Sequence, residues 1–255
     1  MDAADPKYDS DLAQWEEFPM PSSWNRGGWH RLYTDAQYSK YEWRVFSKDG
    51  KSQALLASDV PKKHPDKLNF TPKAGEFRRV GDIIAVDDGW LVGFNEGEFG
   101  AALYWFSPRG VRKYKVSDAQ VVSFFSLPDG IYAIEGLAHL SLSRGSVIRI
   151  TKPKDAAQWQ ASLVAKLPSA PRAVSVRQDG TMFVTLLDSL VSVNADGKIE
   201  SLLAAAPWHG LHPVSSAFSP NEQKLYIGMI RFVGEFDLKT KRFRLLIPSR
   251  EFLND

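Results

Sequence analysis

Carboxylates set the first chemical possibility in this 255-residue chain. Glu96 and Glu98 flank Gly97 in the stretch Asn95–Gly100, and the glycines let both side chains close on one cation or one sugar. Hard oxygen donors of this kind suit Ca²⁺, with Glu135 as a third candidate ligand. Glu135 follows the apolar run Ile131–Ile134, and a carboxyl partly desolvated there keeps its proton more readily, as a general acid must. Together with His139 and Asp188 these groups outline a metal-assisted hydrolase or lactonase acting on a small sugar-like substrate.

Other constellations are weaker. His209 and His212 lie between Pro207 and Pro213 and off any helix, so zinc held by this pair would lack ligands. Ser141 and Ser143 neighbour His139, but a triad needs proximity in space and an orienting acid. No nucleophile elbow, phosphate loop, HExxH helix or dinucleotide fingerprint occurs.

A second class of function needs no catalysis and no cofactor. Phe99, Arg144, Trp208, His209, His212 and Arg231 fall in connections between apolar runs, and aromatic and Arg side chains dominate protein-interface hot spots. They suit a non-catalytic recognition protein that binds another protein, such as a bacterial inhibitor or toxin-neutralising protein. This reading leads, because no catalytic motif accompanies the carboxylates.

The elements that must position these loops repeat along the chain. In residues 81–115 the apolar runs Ile83–Val86, Trp90–Phe94, Ala101–Phe106 and Val111–Tyr114 are separated by Asp88-Gly89, Asn95–Gly100 and Pro108-Arg109-Gly110. Such separators are turn chemistry, so the stretch predicts a four-stranded antiparallel meander. Its first turn recurs at Asp129-Gly130, Asp179-Gly180 and Pro220–Gln223, roughly every 40 to 50 residues. Its third turn recurs at Asp49-Gly50, Asp196-Gly197 and Leu238–Thr240.

Period and content together resemble β-propeller blades, of the loosely repeating kind found in gluconolactonase-like and NHL-like proteins. The resemblance implies an all-β, single-domain β-propeller of five four-stranded blades, at about 28–57, 81–116, 120–166, 172–204 and 214–247, with 58–80 as an insertion. Six blades with one degenerate is the alternative, and a two-sheet sandwich comes third. The first unit offers only three strands, Trp29–Thr34, Glu42–Ser47 and Ser52–Ala57. Its open edge requires a strand from the N-terminal segment or from the tail after Ile247.

Parity then places the chemistry. In an up-and-down blade the second turn and the inter-blade connection share one face. That face collects Glu96, Glu98, Phe99, Glu135, His139, Arg144, Asp188, Trp208, His209, His212 and Arg231. The stretch Glu135–Gly145 reads as a long loop, a lid anchored by Leu137, Leu140 and Leu142.

Composition bounds the rest. With 32 basic and 30 acidic residues the net charge is +2, which gives no reason to expect nucleic acid. The insertion 61–80 is basic and Pro-rich, as a solvated loop would be. Eight Trp, eight Tyr and 15 Phe suit the wedge-shaped spaces between blades. No Cys is present, so disulfides and thiolate sites are excluded. No apolar run is long enough for a membrane span. The N-terminus lacks a signal-peptide pattern and resembles the start of a mature exported protein, favouring a periplasmic location. A short helical turn is expected within Asp11–Phe18.

Overall fold

The computed structural model describes residues 7–20, 29–60, 68–208 and 210–253. Regular structure begins with a 3-10 turn at Leu12–Gln14, capped where Asp11 Oδ1 accepts the Ala13 N–H at 3.1 Å, and strand β1 (Glu16–Phe18). Helix α1 (Trp29–Gln37) and the hairpin of β2 (Trp43–Lys48) and β3 (Lys51–Leu56) follow. The expected strand at Trp29–Thr34 is therefore a helix, and the first unit has two strands. Leu32 and Ala36 explain this. They are buried in the core against which Tyr33 also packs, and positions i, i+1 and i+4 on one face are helical rather than alternating periodicity.

Four meanders follow, each antiparallel and paired in chain order. The first has β4 (Val80–Val86), β5 (Gly89–Asn95), β6 (Ala101–Phe106) and β7 (Lys113–Ser117). The next has β8 (Val121–Leu127), β9 (Gly130–His139), β10 (Leu142–Thr151) and β11 (Gln160–Leu167). Then come β12 (Pro171–Val176), β13 (Met182–Leu186), β14 (Leu190–Val193) and β15 (Ile199–Leu203). The last contains β16 (Ser215–Phe218), β17 (Lys224–Gly228), β18 (Val233–Asp237) and β19 (Phe243–Ile247). The Asp88-Gly89 turn requires its glycine, because a Cβ there would stand 2.0 Å from the Phe106 carbonyl oxygen.

Cores lie between consecutive sheets. Leu91, Leu103 and Trp105 pack with Phe124, Ile148 and Ile150; Ile134, Val147 and Leu167 with Met182, Val184 and Val191; Phe183 and Leu190 with Phe218, Leu225 and Ile227. The final sheet packs against the first hairpin through Tyr226, Val233 and Leu246 on one side and Trp43, Val45 and Leu56 on the other. Phe70 and Phe77 of the insertion cover the remaining face of the β4–β7 sheet. Such layering is propeller-like, with aromatic and branched side chains filling the space between sheets.

The N-terminal segment ties first sheet to last. β1 adds to β19 as a fifth strand, while Asp11 bridges Gln53 of β3 and the Ala54 N–H donates to Ser10 O at 2.9 Å. Both open edges are thus covered by one segment. At the seam the Trp43 backbone N–H donates to Met229 O at 3.0 Å and its indole N–H to Arg231 O at 3.1 Å. In the C-terminal turn Arg250–Leu253, Phe252 is fully buried against Tyr8, Tyr41 and Trp43.

Candidate functional site

The ends of the hairpins β5–β6 and β9–β10 meet on the face to which the loops were assigned. β5 ends at Asn95, and a 3-10 turn at Gly97–Phe99 carries the chain into β6. Buried Gln120 locks this turn to the next sheet: its side-chain amide donates to Asn95 Oδ1 at 3.0 Å and to Gly97 O at 2.9 Å. Its own carbonyl accepts the Gly136 N–H at 2.9 Å. Above this lock, His139 Nε2 stands 2.5 Å from Glu98 Oε2.

Glu135–Gly145 is not a loop but a continuous hairpin, in which His139 pairs with Leu142 across a two-residue turn. Leu140 and Leu142 point outward, at 95% and 48% exposure, rather than anchoring a lid. Phe99, next to Glu98 in the 3-10 turn, is 82% exposed. Leu140 has φ 50°, a conformation that strains a bulky side chain.

The carboxylates have separate partners. Glu96 accepts the backbone N–H groups of Arg78 and Arg79, each at 2.7 Å. Those bonds, Arg79's foremost, hold its carboxyl below the usual carboxylate range. Glu135, half-buried, accepts the Ser146 hydroxyl and, at 3.4 Å, the Gln120 N–H. Asp188 accepts the Ser169 and Ser189 hydroxyls at 2.7 and 3.2 Å. Glu96, Glu98 and Glu135 are not brought together as a cation site: no group of three or more His, Asp or Glu able to hold a metal occurs among the described residues.

The expected binding residues divide. Phe99, Arg144 and His212 are exposed. Trp208 is not a surface anchor, because it is fully buried against Phe243 and donates its indole N–H to Leu186 O at 3.0 Å. Arg231 is buried too, with its guanidinium donating to Leu253 O and its backbone N–H to Tyr41 O at 2.6 Å. Trp208 lies in the β15–β16 connection and Arg231 in the β17–β18 turn, and both are buried rather than displayed. His209 lies outside the described residues.

A second feature was not anticipated. The first strand of every sheet contributes to one cavity of about 780 Å³, lined among others by Arg44 and Val45 of β2, Asp82 of β4, Ser123 of β8, Arg172 of β12 and Ser215 of β16. In three of these strands the register shifts near the start, leaving Gly81, Val122 and Arg172 as the extra residues. Bulges re-aim side chains. Arg172 therefore occupies the place of a glycine and a valine in the two preceding repeats. That contrast is legible in VGDIIAV, VVSFFSL and PRAVSV once the strands are superposed by period.

No protein-family model and no curated protein sequence matches this chain. Solved structures similar to it include a streptogramin B lyase, at 16% identity and TM-score 0.45, over 70% of this chain and 56% of that one. A virginiamycin B lyase from Staphylococcus aureus is similar at 15% identity and TM-score 0.46, over 82% of this chain and 71% of that one. A gluconolactonase from Xanthomonas campestris is similar at 15% identity and TM-score 0.44, over 80% of this chain and 64% of that one. Among the first two, the chain spans little more than half of the streptogramin B lyase.

Proposed function

We propose that this chain is a non-catalytic recognition protein, a five-bladed ring whose hairpin tips bind another protein. The two-stranded hairpin β2–β3, edged by the N-terminal segment, serves as the fifth blade. The observation that carries the reading is Leu140, 95% exposed at φ 50°. A leucine there costs about 1 kcal/mol over a glycine and gives up its apolar surface to water. Folding gains nothing from it.

Leu140 also has company. Leu142, paired with His139, and Phe99, next to Glu98, are also exposed on these two hairpins, the Glu98–His139 pair joins the hairpins, and Arg144 stands on the second of them. An exposed apolar patch with a charged rim is the composition of an interface. The matching partner presents an apolar centre with acidic residues beside it. The hydrolase reading through Glu96, Glu98, Glu135 and Asp188 has less support, because their oxygens are engaged separately.

Binding of a partner from cell extract, measured with saturable competition by unlabelled protein, tests this. Leu140→Asn and Phe99→Ala should each abolish capture while the fold is retained, whereas Val111→Asn should not. Capture that survives both changes at the tips contradicts the assignment.

A further inference from the structure

Arg172 is the unexplained charge in the central cavity. Its Nε is buried without a hydrogen-bond partner, and its guanidinium makes no hydrogen bond or ion pair among the described residues. Burial holds that guanidinium below its ordinary range. Leaving a cation desolvated and unpaired is costly, and a valine or glycine serves at the same bulge in the neighbouring repeats.

The other charges around the cavity are already engaged. Arg44 donates to Val214 O at 2.7 Å and to Glu42 Oε1 at 2.8 Å. Asp82 accepts the backbone N–H groups of Phe124 at 2.8 Å and Ile83 at 3.0 Å, which fixes an anion in the wall. Arg172 is thus the cation without a counter-charge. A planar guanidinium matches a carboxylate in a two-point fork. A dianionic phosphate would meet the Asp82 carboxylate as a like charge, whereas a monoanion suffers half as much. Val122 and Val174 supply apolar wall beside this charge, and about 780 Å³ is within the range of small-molecule sites.

We propose that the cavity binds a small organic monocarboxylate, its carboxylate held by the Arg172 guanidinium and its apolar body against Val122 and Val174. The site is distinct from the hairpin tips and independent of their role.

Isothermal titration of the intact protein with sodium benzoate and sodium hexanoate tests this, with benzyl alcohol and inorganic phosphate for comparison. Saturable binding of a carboxylate is expected. Arg172→Met should weaken it roughly ten- to a hundredfold, the scale of a charge-assisted hydrogen-bonded pair, and Arg172→Lys should fall between. Benzyl alcohol should bind weakly and equally to all three proteins. Because Met removes an unpaired, partly buried cation, the unliganded Arg172→Met protein should melt no lower than wild type. The proposal is overturned if neither carboxylate saturates, if Arg172→Met binds them as well as wild type, if phosphate binds more tightly than benzoate, or if Arg172→Met lowers the melting midpoint. Should Arg172→Met not fold, an Arg172→Lys protein with unchanged affinity overturns it as well.

Discussion

Trp159 donates its indole N–H to Asp88 Oδ1 at 3.0 Å, joining the segment before β11 to the β4–β5 turn of the preceding sheet. Trp105 donates to the same oxygen at 2.9 Å, and Lys152 meets Oδ2 at 2.7 Å. One carboxylate therefore fastens two sheets on the side opposite the hairpin tips. Burial pushes the Asp88 carboxyl up, but Lys152 and the two indoles outweigh it and leave it below its ordinary range.

Asp88→Ala should cost about 1–2 kcal/mol, because two indole N–H groups lose their acceptor. Asp88→Asn should cost less, since it keeps an acceptor oxygen and loses only the attraction to Lys152. A depressed folded-state carboxyl contributes stability above the unfolded value of about 4, and that stability disappears as pH falls through the folded value. The gap between wild type and either variant should therefore narrow in acid. Equal melting midpoints for all three proteins at neutral pH would show that the staple is idle.

Glu235 presents a deeper case in the last sheet. It is buried, and Arg244 grips it with Nε to Oε1 at 2.8 Å and Nη2 to Oε2 at 3.0 Å, while Lys224 adds a bond at 3.1 Å. Burial raises its carboxyl, and the two cations more than reverse this, so it lies below the usual range. Nearby Tyr226 is pushed up, by burial first and by Glu235 next. Glu235→Gln should destabilise by roughly 1–3 kcal/mol, because Lys224 loses its counter-charge and Arg244 keeps only Glu17, at 3.2 Å, while both cations keep some solvent. Urea unfolding at neutral pH and near pH 3 reads this, with a smaller loss expected near pH 3, because the contribution of a depressed carboxyl fades as pH falls toward its folded-state value. A loss that is the same at both would mean that shape, not charge, is responsible.

Gly93 and Val121 test how closely neighbouring sheets approach. A Cβ on Gly93 would lie 2.5 Å from Val121 Cβ, and both elements are buried between sheets. Gly93→Ala should cost about 1–3 kcal/mol through overpacking. Adding Val121→Gly should recover part of that loss, since only removal of the Val121 Cβ, at 2.5 Å, opens the space the first change needs. Strict additivity of the two changes would contradict this contact.

Much of this fold was legible because turn chemistry is local. Asp88-Gly89, Asp129-Gly130, Asp179-Gly180 and Asp196-Gly197 all join neighbouring strands of one sheet, as their need for positive φ or tight approach implies. Trp29–Thr34 was misread since a short apolar stretch does not declare its period until Ala36 is found buried beneath it. The hairpin at Leu140 reads as a loop in the sequence for a related reason: its turn residue is a leucine, which carries no turn signal. Trp208 and Arg231 look like surface anchors in the sequence, because a sequence does not say which side of a connection faces the core. The pairing of Glu98 with His139 was foreseen only as a shared face. Arg172 escaped notice because its meaning comes from a bulge position shared with Gly81 and Val122, a relation visible only between repeats.

A photo-reactive amino acid placed at Leu140, compared with one placed at Val111, examines the recognition role most directly. Val111 is 83% exposed and belongs to the third-turn side of its sheet, away from the hairpin tips, so it matches Leu140 in exposure but not in face. Irradiation in cell extract should give one saturable protein adduct at position 140, lost when Phe99→Ala is added, and none at position 111. Adducts formed equally at both positions, or unaffected by Phe99→Ala, would contradict the claim that the hairpin tips recognise another protein.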